Sequence, residues 1–146
     1  FPVQAMATVS THDLPTVRGY FAGQDIRWRE RLGLYPEPGR AEEERQQRAR
    51  EAALLRDRLR AQGFLGEEGD DEERALALHR YLARSACELA AVQIDDLVGE
   101  LEQPNLPGTI AEHPNWRRRC SHTIDELTTA PLADRILGLL RAERPR

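Results

Sequence analysis

Short apolar runs alternate with longer stretches of helical period along the chain. Residues 1–10, FPVQAMATVS, are apolar, small or β-branched, and this run predicts a buried strand of a parallel sheet. Polar THDLPT follows, and Pro15 ends the run. RGYFAGQ reads as a glycine-containing turn that leads into a short helix from about Asp25 to Leu32. Ile26, Arg29 and Leu32 share related positions there, and Gly33, Pro36 and Pro38 break the pattern.

Residues 41–62 carry the strongest helix signal, being rich in Ala, Glu, Gln and Arg. Glu44 and Arg48 have the favourable i,i+4 order for an ion pair. The apolar side is thin (Ala52, Leu55 and Leu59, with Ala41 and Ala49 nearby), which predicts a surface helix resting on a larger body. After the acidic GEEGDDEE segment, a further helix is expected from about Asp71 to Ala90. Ala75, Leu78 and Leu82 form its face, widened by Leu76, Tyr81 and Leu89, with His79 exposed or half-buried and Cys87 as packing. Leu89 to Ile94 form a second strand candidate, so the two predictions overlap. A long proline-rich connection follows, then a short turn near Thr123 to Leu127. A terminal helix from about Pro131 to Arg141 would pack Ile136, Leu137 and Leu140.

Composition narrows this picture. With 146 residues the chain is too short for a complete eight-stranded α/β barrel, which takes about 250 residues. Two strands separated by helices suggest βα units, yet an isolated parallel pair leaves both edges open. The net charge of -4 sets 21 basic residues, all arginine, against 25 acidic ones, which excludes a global basic field for nucleic acid. Cys87 and Cys120 make neither a disulfide framework nor a zinc pattern, so a reducing, cytoplasmic setting is expected. No membrane helix and no signal-like start are read. The first residue is Phe1 and the single methionine is Met6, which suits a processed chain or an excerpt. There is no metal-ligand array, phosphate-binding glycine loop or serine nucleophile motif, and no cofactor is expected.

Candidate chemistry falls at two places. His12 and Asp13 follow the first strand, where a carboxylate can reach sugar hydroxyls or orient another group. They also fit an ordinary strand end, with Asp13 capping the next turn. Asp95 and Asp96 follow the second strand; adjacent carboxylates on a strand point to opposite faces and do not make a glycosidase pair. Asp96 fits instead as the acceptor of a loop amide. In QPNLPGT, Pro104, Asn105, Pro107 and Gly108 would build either an active-site wall or a structural turn. EHPNWRRR offers Trp116 and three arginines, read here as ion-pairing and packing groups rather than as a nucleic-acid patch. Trp28 and Tyr35 are read as packing residues.

STHDLPTVRGY resembles the late-barrel segment of the 4-alpha-glucanotransferases, the amylomaltase or disproportionating-enzyme family. QIDDLVGELEQPNLPGTIAEHPNWRRR resembles the same family's final-strand region, in matching order and separation. The resemblance covers essentially the whole chain and is least specific in the arginine-rich helices. It implies an α/β fold in which residues 1–146 are the C-terminal portion of a (β/α)8 barrel, mostly helical with about two parallel strands. It also implies a cytoplasmic, retaining transferase that moves α-1,4-glucan segments through a covalent glycosyl-enzyme to the 4-hydroxyl of an acceptor glucan. By this resemblance Asp13 is the third essential carboxylate, a transition-state stabiliser, His12 a substrate contact, and Asn105 part of the wall or a substrate contact. The family's nucleophile and acid/base lie on earlier strands, so this chain alone is expected to be inactive. Its partners would be α-1,4-glucans or maltooligosaccharides, with the upstream barrel or a second copy covering exposed core, and neither nucleic acid nor membrane. The alternative is a helical interaction module derived from the enzyme sequence. The enzyme reading predicts two neighbouring parallel strands whose carboxyl ends bring Asp13 and the Asn105 loop together.

Overall fold

A computed structural model describes residues 2–144; Phe1, at the head of the first predicted strand, lies outside the described residues. Strand β1 (Met6–Thr8) pairs in parallel with β2 (Leu89–Ala91), in the register Met6 to Leu89, Ala7 to Ala90 and Thr8 to Ala91. The parallel pair is as predicted, but both strands are three residues long. Seven helices complete the described residues, which are mostly helical and close no barrel.

Two short helices follow β1. The stretch RGYFA, read as a turn, is helix α1 (Val17–Ala22). Thr16, and not Asp13, caps it by accepting the Gly19 N–H at 3.0 Å. Gly19 is required inside α1: a Cβ there would stand 2.6 Å from the Leu101 carbonyl oxygen. Gly23, at φ 66°, ends α1 and opens α2 (Gln24–Arg31).

Helix α3 (Arg40–Ala61) buries Ala41, Ala52 and Leu59. The expected Glu44–Arg48 pair does not form. Arg48 reaches Asp25 of α2 instead, while Glu44 meets Arg29 at 3.3 Å. Cross-helix partners win because Asp25 is buried and requires a cation.

Helix α4 (Asp71–Ala83) opens with a capping box between Asp70 and Glu73. It stops seven residues before the predicted Ala90, because Leu89–Ala91 is taken by the sheet. Its buried side is Ala75, Ala77, His79 and Ala83, so the apolar face predicted through Leu78 and Leu82 is only half-buried. His79, expected near the surface, is fully buried.

The second strand ends at Ala91, and Ile94 already belongs to the single turn α5 (Ile94–Leu97). A short α6 (Ile124–Leu127), capped by Thr123 and Glu126, stands where a turn was expected. Helix α7 (Pro131–Glu143) buries Leu132, Ala133 and Ile136, while the predicted Leu137 is exposed. One core joins α5 and α7 through Leu97, Ala130, Leu132, Ala133 and Ile136, and a second joins α3 and α4 through Leu59, Leu65 and Ala77. With two strands the sheet has two open edges, and its face at Met6 and Leu89 is uncovered, with exposures of 60% and 63%.

Candidate functional site at the carboxyl ends of the strands

Residues 9–16 leave β1 as a loop and carry His12 and Asp13 outward, where both are exposed. Leu14 N–H bonds back to the Thr11 carbonyl at 3.0 Å, which makes the loop a tight turn. His12 Nε2 lies 3.3 Å from Asp13 Oδ2. Asn105, which is 92 residues further along, donates from Nδ2 to Asp13 Oδ1 at 2.6 Å. The three residues singled out from sequence therefore meet at one place, at the carboxyl ends of two neighbouring parallel strands. Asp13 also lines a cavity of about 410 Å³ with Leu14, Pro15, Tyr20 and Phe21.

The loop around Asn105 is held by a residue that sequence reasoning passed over. Asn115 Oδ1 accepts the Leu106 N–H at 2.9 Å, and its Nδ2 donates to the Thr109 hydroxyl at 2.7 Å. Buried His113 contacts the same Oδ1 through Nδ1 at 2.6 Å and sets its ring edge-on to Trp28 at 4.8 Å. Trp28 donates from Nε1 to Glu102 at 2.6 Å, so it packs and also ties α2 to this loop. Trp116 takes a left-handed backbone, φ 59°, unusual for a bulky residue. Its N–H bonds the Pro104 carbonyl at 3.0 Å, and its ring tilts against His12 at 5.1 Å. The local signal was present in Asn115, whose amide can serve two strands of one turn at once.

The adjacent carboxylates play different parts. They lie beyond the second strand, as expected, on the single turn α5. Asp95 accepts from Arg118 at 2.9 Å, and Glu100 pairs with the same guanidinium at 2.9 Å, so the arginine run does form ion pairs. Burial would push the Glu100 carboxyl up, but Ser121 and Arg118 together bring it below its ordinary value. Asp96 is buried and accepts the Val17 N–H at 2.7 Å, the amide-binding role considered for it, and also the Ser10 hydroxyl. Burial raises its pKa despite those donors and the nearby His79. Burial likewise lowers the His79 pKa, outweighing its bond to the Ala75 carbonyl and the attraction of Asp96.

Among the described residues no cluster of three or more His, Cys, Asp or Glu could hold a metal ion. No described helix is long and apolar enough to cross a membrane.

Comparison with known proteins gives this geometry a context. Residues 1–125 match the family model described as 4-alpha-glucanotransferase. The chain is 48% identical over 114 residues to the 4-alpha-glucanotransferases of Mycobacterium bovis and Mycobacterium tuberculosis, an alignment covering 77% of this chain and 16% of each relative. It is 29% identical over 133 residues to that of Haemophilus influenzae, covering 85% of this chain and 19% of the relative. The crystal structure of amylomaltase from Corynebacterium glutamicum superposes with a TM-score of 0.81 at 28% identity, covering 96% of this chain and 22% of that one. The chain thus spans about a fifth or less of the length of these relatives. By the match over residues 1–125, the chain belongs to the 4-alpha-glucanotransferase family.

Proposed function

We propose that the protein carrying this chain is a retaining 4-alpha-glucanotransferase, and that these residues supply late strands of its (β/α)8 barrel. The observation that carries the reading is the 2.6 Å bond from Asn105 to Asp13, which joins the two family-like motifs at the carboxyl edge of the sheet. Function gathers at that edge in barrel enzymes.

Asp13 is the transition-state stabiliser. Its exposed carboxylate accepts hydroxyls of the sugar ring where the glycosyl intermediate forms, favouring the flattened, positively charged ring over the relaxed one. Asn105 fixes Oδ1 and leaves the remaining lone pairs of the carboxylate facing outward. His12, beside Asp13 and against Trp116, contacts a neighbouring hydroxyl. Retention needs a nucleophilic carboxylate and a second one as acid/base, about 5–5.5 Å apart. Asp95 is engaged by Arg118, and Asp96 is buried against Ser10 and Val17, so neither serves. Those two groups come from elsewhere in the full enzyme. The exposed Met6 and Leu89 pack against its other strands, and α-1,4-glucans serve as donor and acceptor in the cytoplasm.

The 146-residue chain alone is therefore inactive. Incubated with maltotriose, it is expected to release no glucose and form no longer glucans. Turnover by the purified chain that disappears with Asp13→Asn would overturn this division of labour.

A further inference from the structure

The loop that carries His12 and Asp13 has both of its feet on one buried side chain. Ser10, at the start of the loop, presents its hydroxyl to Asp96 Oδ2, with Gln93 Oε1 also 2.9 Å from it. Val17, the first residue after the loop, gives its N–H to Asp96 Oδ1 at 2.7 Å. Thr16 adds a third hold, donating to the Glu100 carbonyl at 2.7 Å. On the opposite side Asn105, from the same α5-to-loop segment, reaches the tip at Asp13. The turn is thus closed into a ring whose clasp is Asp96.

We infer that Asp96 is a positioning residue for the glucan-transfer site, acting through the Ser10–Val17 loop on Asp13. The inference rests on the reading of Asp13 given above. Asp96 is 2% exposed and does not touch sugar itself. A buried carboxylate needs donors to both oxygens, and the two it has are the feet of the loop. Oδ1 and Oδ2 are about 2.2 Å apart by covalent geometry, so the two feet are held at a fixed spacing. An alanine at 96 has no acceptor and releases both feet, whereas an asparagine could keep them, its amide donating to the Ser10 oxygen while that hydroxyl donates to Gln93. In the alanine variant the loop has free ends, and the Asp13 carboxylate loses its defined height above the sheet. A displacement of about 1 Å at a catalytic group is enough to cost up to about 100-fold.

The test is a double-mutant cycle in the full-length enzyme, with maltotriose as substrate and thermal unfolding recorded for each variant. Asp96→Ala is expected to lower kcat by about tenfold to 100-fold with a smaller change in KM. In an Asp13→Asn background the same change is expected to cost about twofold or less, because the group it positions is already gone. Ser10→Ala releases one foot and leaves Asp96 intact, so it is expected to give a smaller loss with the same non-additivity. It also keeps the inference testable if Asp96→Ala does not fold. Equal losses in both backgrounds, or losses that follow the unfolded fraction, would show a merely structural Asp96 and overturn the inference. A large effect of Asp13→Asn with none from Asp96→Ala or Ser10→Ala sinks the inference alone. Full activity in Asp13→Asn sinks the functional reading and the inference with it.

Discussion

Replacing Arg48 by leucine should strongly destabilise the α2–α3 interface. Its guanidinium grips Asp25 with two bonds, 3.0 Å to Oδ1 and 2.9 Å to Oδ2, and donates a third at 2.9 Å to the Tyr20 carbonyl. The Asp25 side chain is only 4% exposed, so water cannot replace the lost cation. Stranding a buried charge in this way costs about 3–5 kcal/mol. Asp25 lies in the first turn of α2, but the helix dipole acts on it in wild type and variant alike and cancels, so the expected loss stays at about 3–5 kcal/mol. For a chain of this size that is a fall in Tm of about 6–20 °C. Urea unfolding of the 146-residue chain, followed by circular dichroism, measures it. Converting both residues to leucine should recover most of the loss, since an apolar pair carries no stranded charge. A loss below about 1 kcal/mol for Arg48→Leu would place this pair with ordinary surface ion pairs and refute the reasoning.

Two further outcomes are expected. Gly19→Ala drives a methyl to 2.6 Å from the Leu101 carbonyl oxygen and should cost about 1–3 kcal/mol in the same unfolding assay; a stabilised variant would show that α1 can shift freely. Buried His79 stays neutral below the ordinary histidine value of 6.5, while the unfolded chain takes up a proton there. Stability should therefore fall as pH drops through 6.5, and His79→Gln should flatten that slope between about pH 7.5 and 5.5. Asp96, raised above its ordinary 3.8, contributes a slope of opposite sign, so it does not account for acid loss in this window. An unchanged slope in His79→Gln would remove His79 from the explanation.

Much of the helical framework was legible because α3 and α7 announce themselves by composition and period, and α7 by Pro131 at its start. Helix α1 was not, because Gly19 reads locally as a breaker, whereas its lack of a side chain is what lets the helix lie on the Leu101 backbone. The apolar run around Leu89 fits helix and strand alike; only pairing with Met6–Thr8 decides between them. His79 stands between Leu78 and Arg80, which reveals nothing of its burial. At the site, the strand-end position of His12 and Asp13 could be read from the chain. Their meeting with Asn105 is a contact between distant segments, and it followed from the family resemblance rather than from spacing. The clasp at Asp96 and the brace at Asn115 are also contacts between separate stretches of chain. Residue type suggested capacity at both positions, but only the fold chose the partners.

The central claim is that Asp13 holds the sugar in the transition state of glucan transfer. The direct measurement is steady-state disproportionation of maltotriose by the full-length enzyme with Asp13→Asn, alongside its unfolding temperature. A folded variant whose kcat falls by about 100-fold or more is the predicted result. Wild-type turnover in that variant would contradict the account.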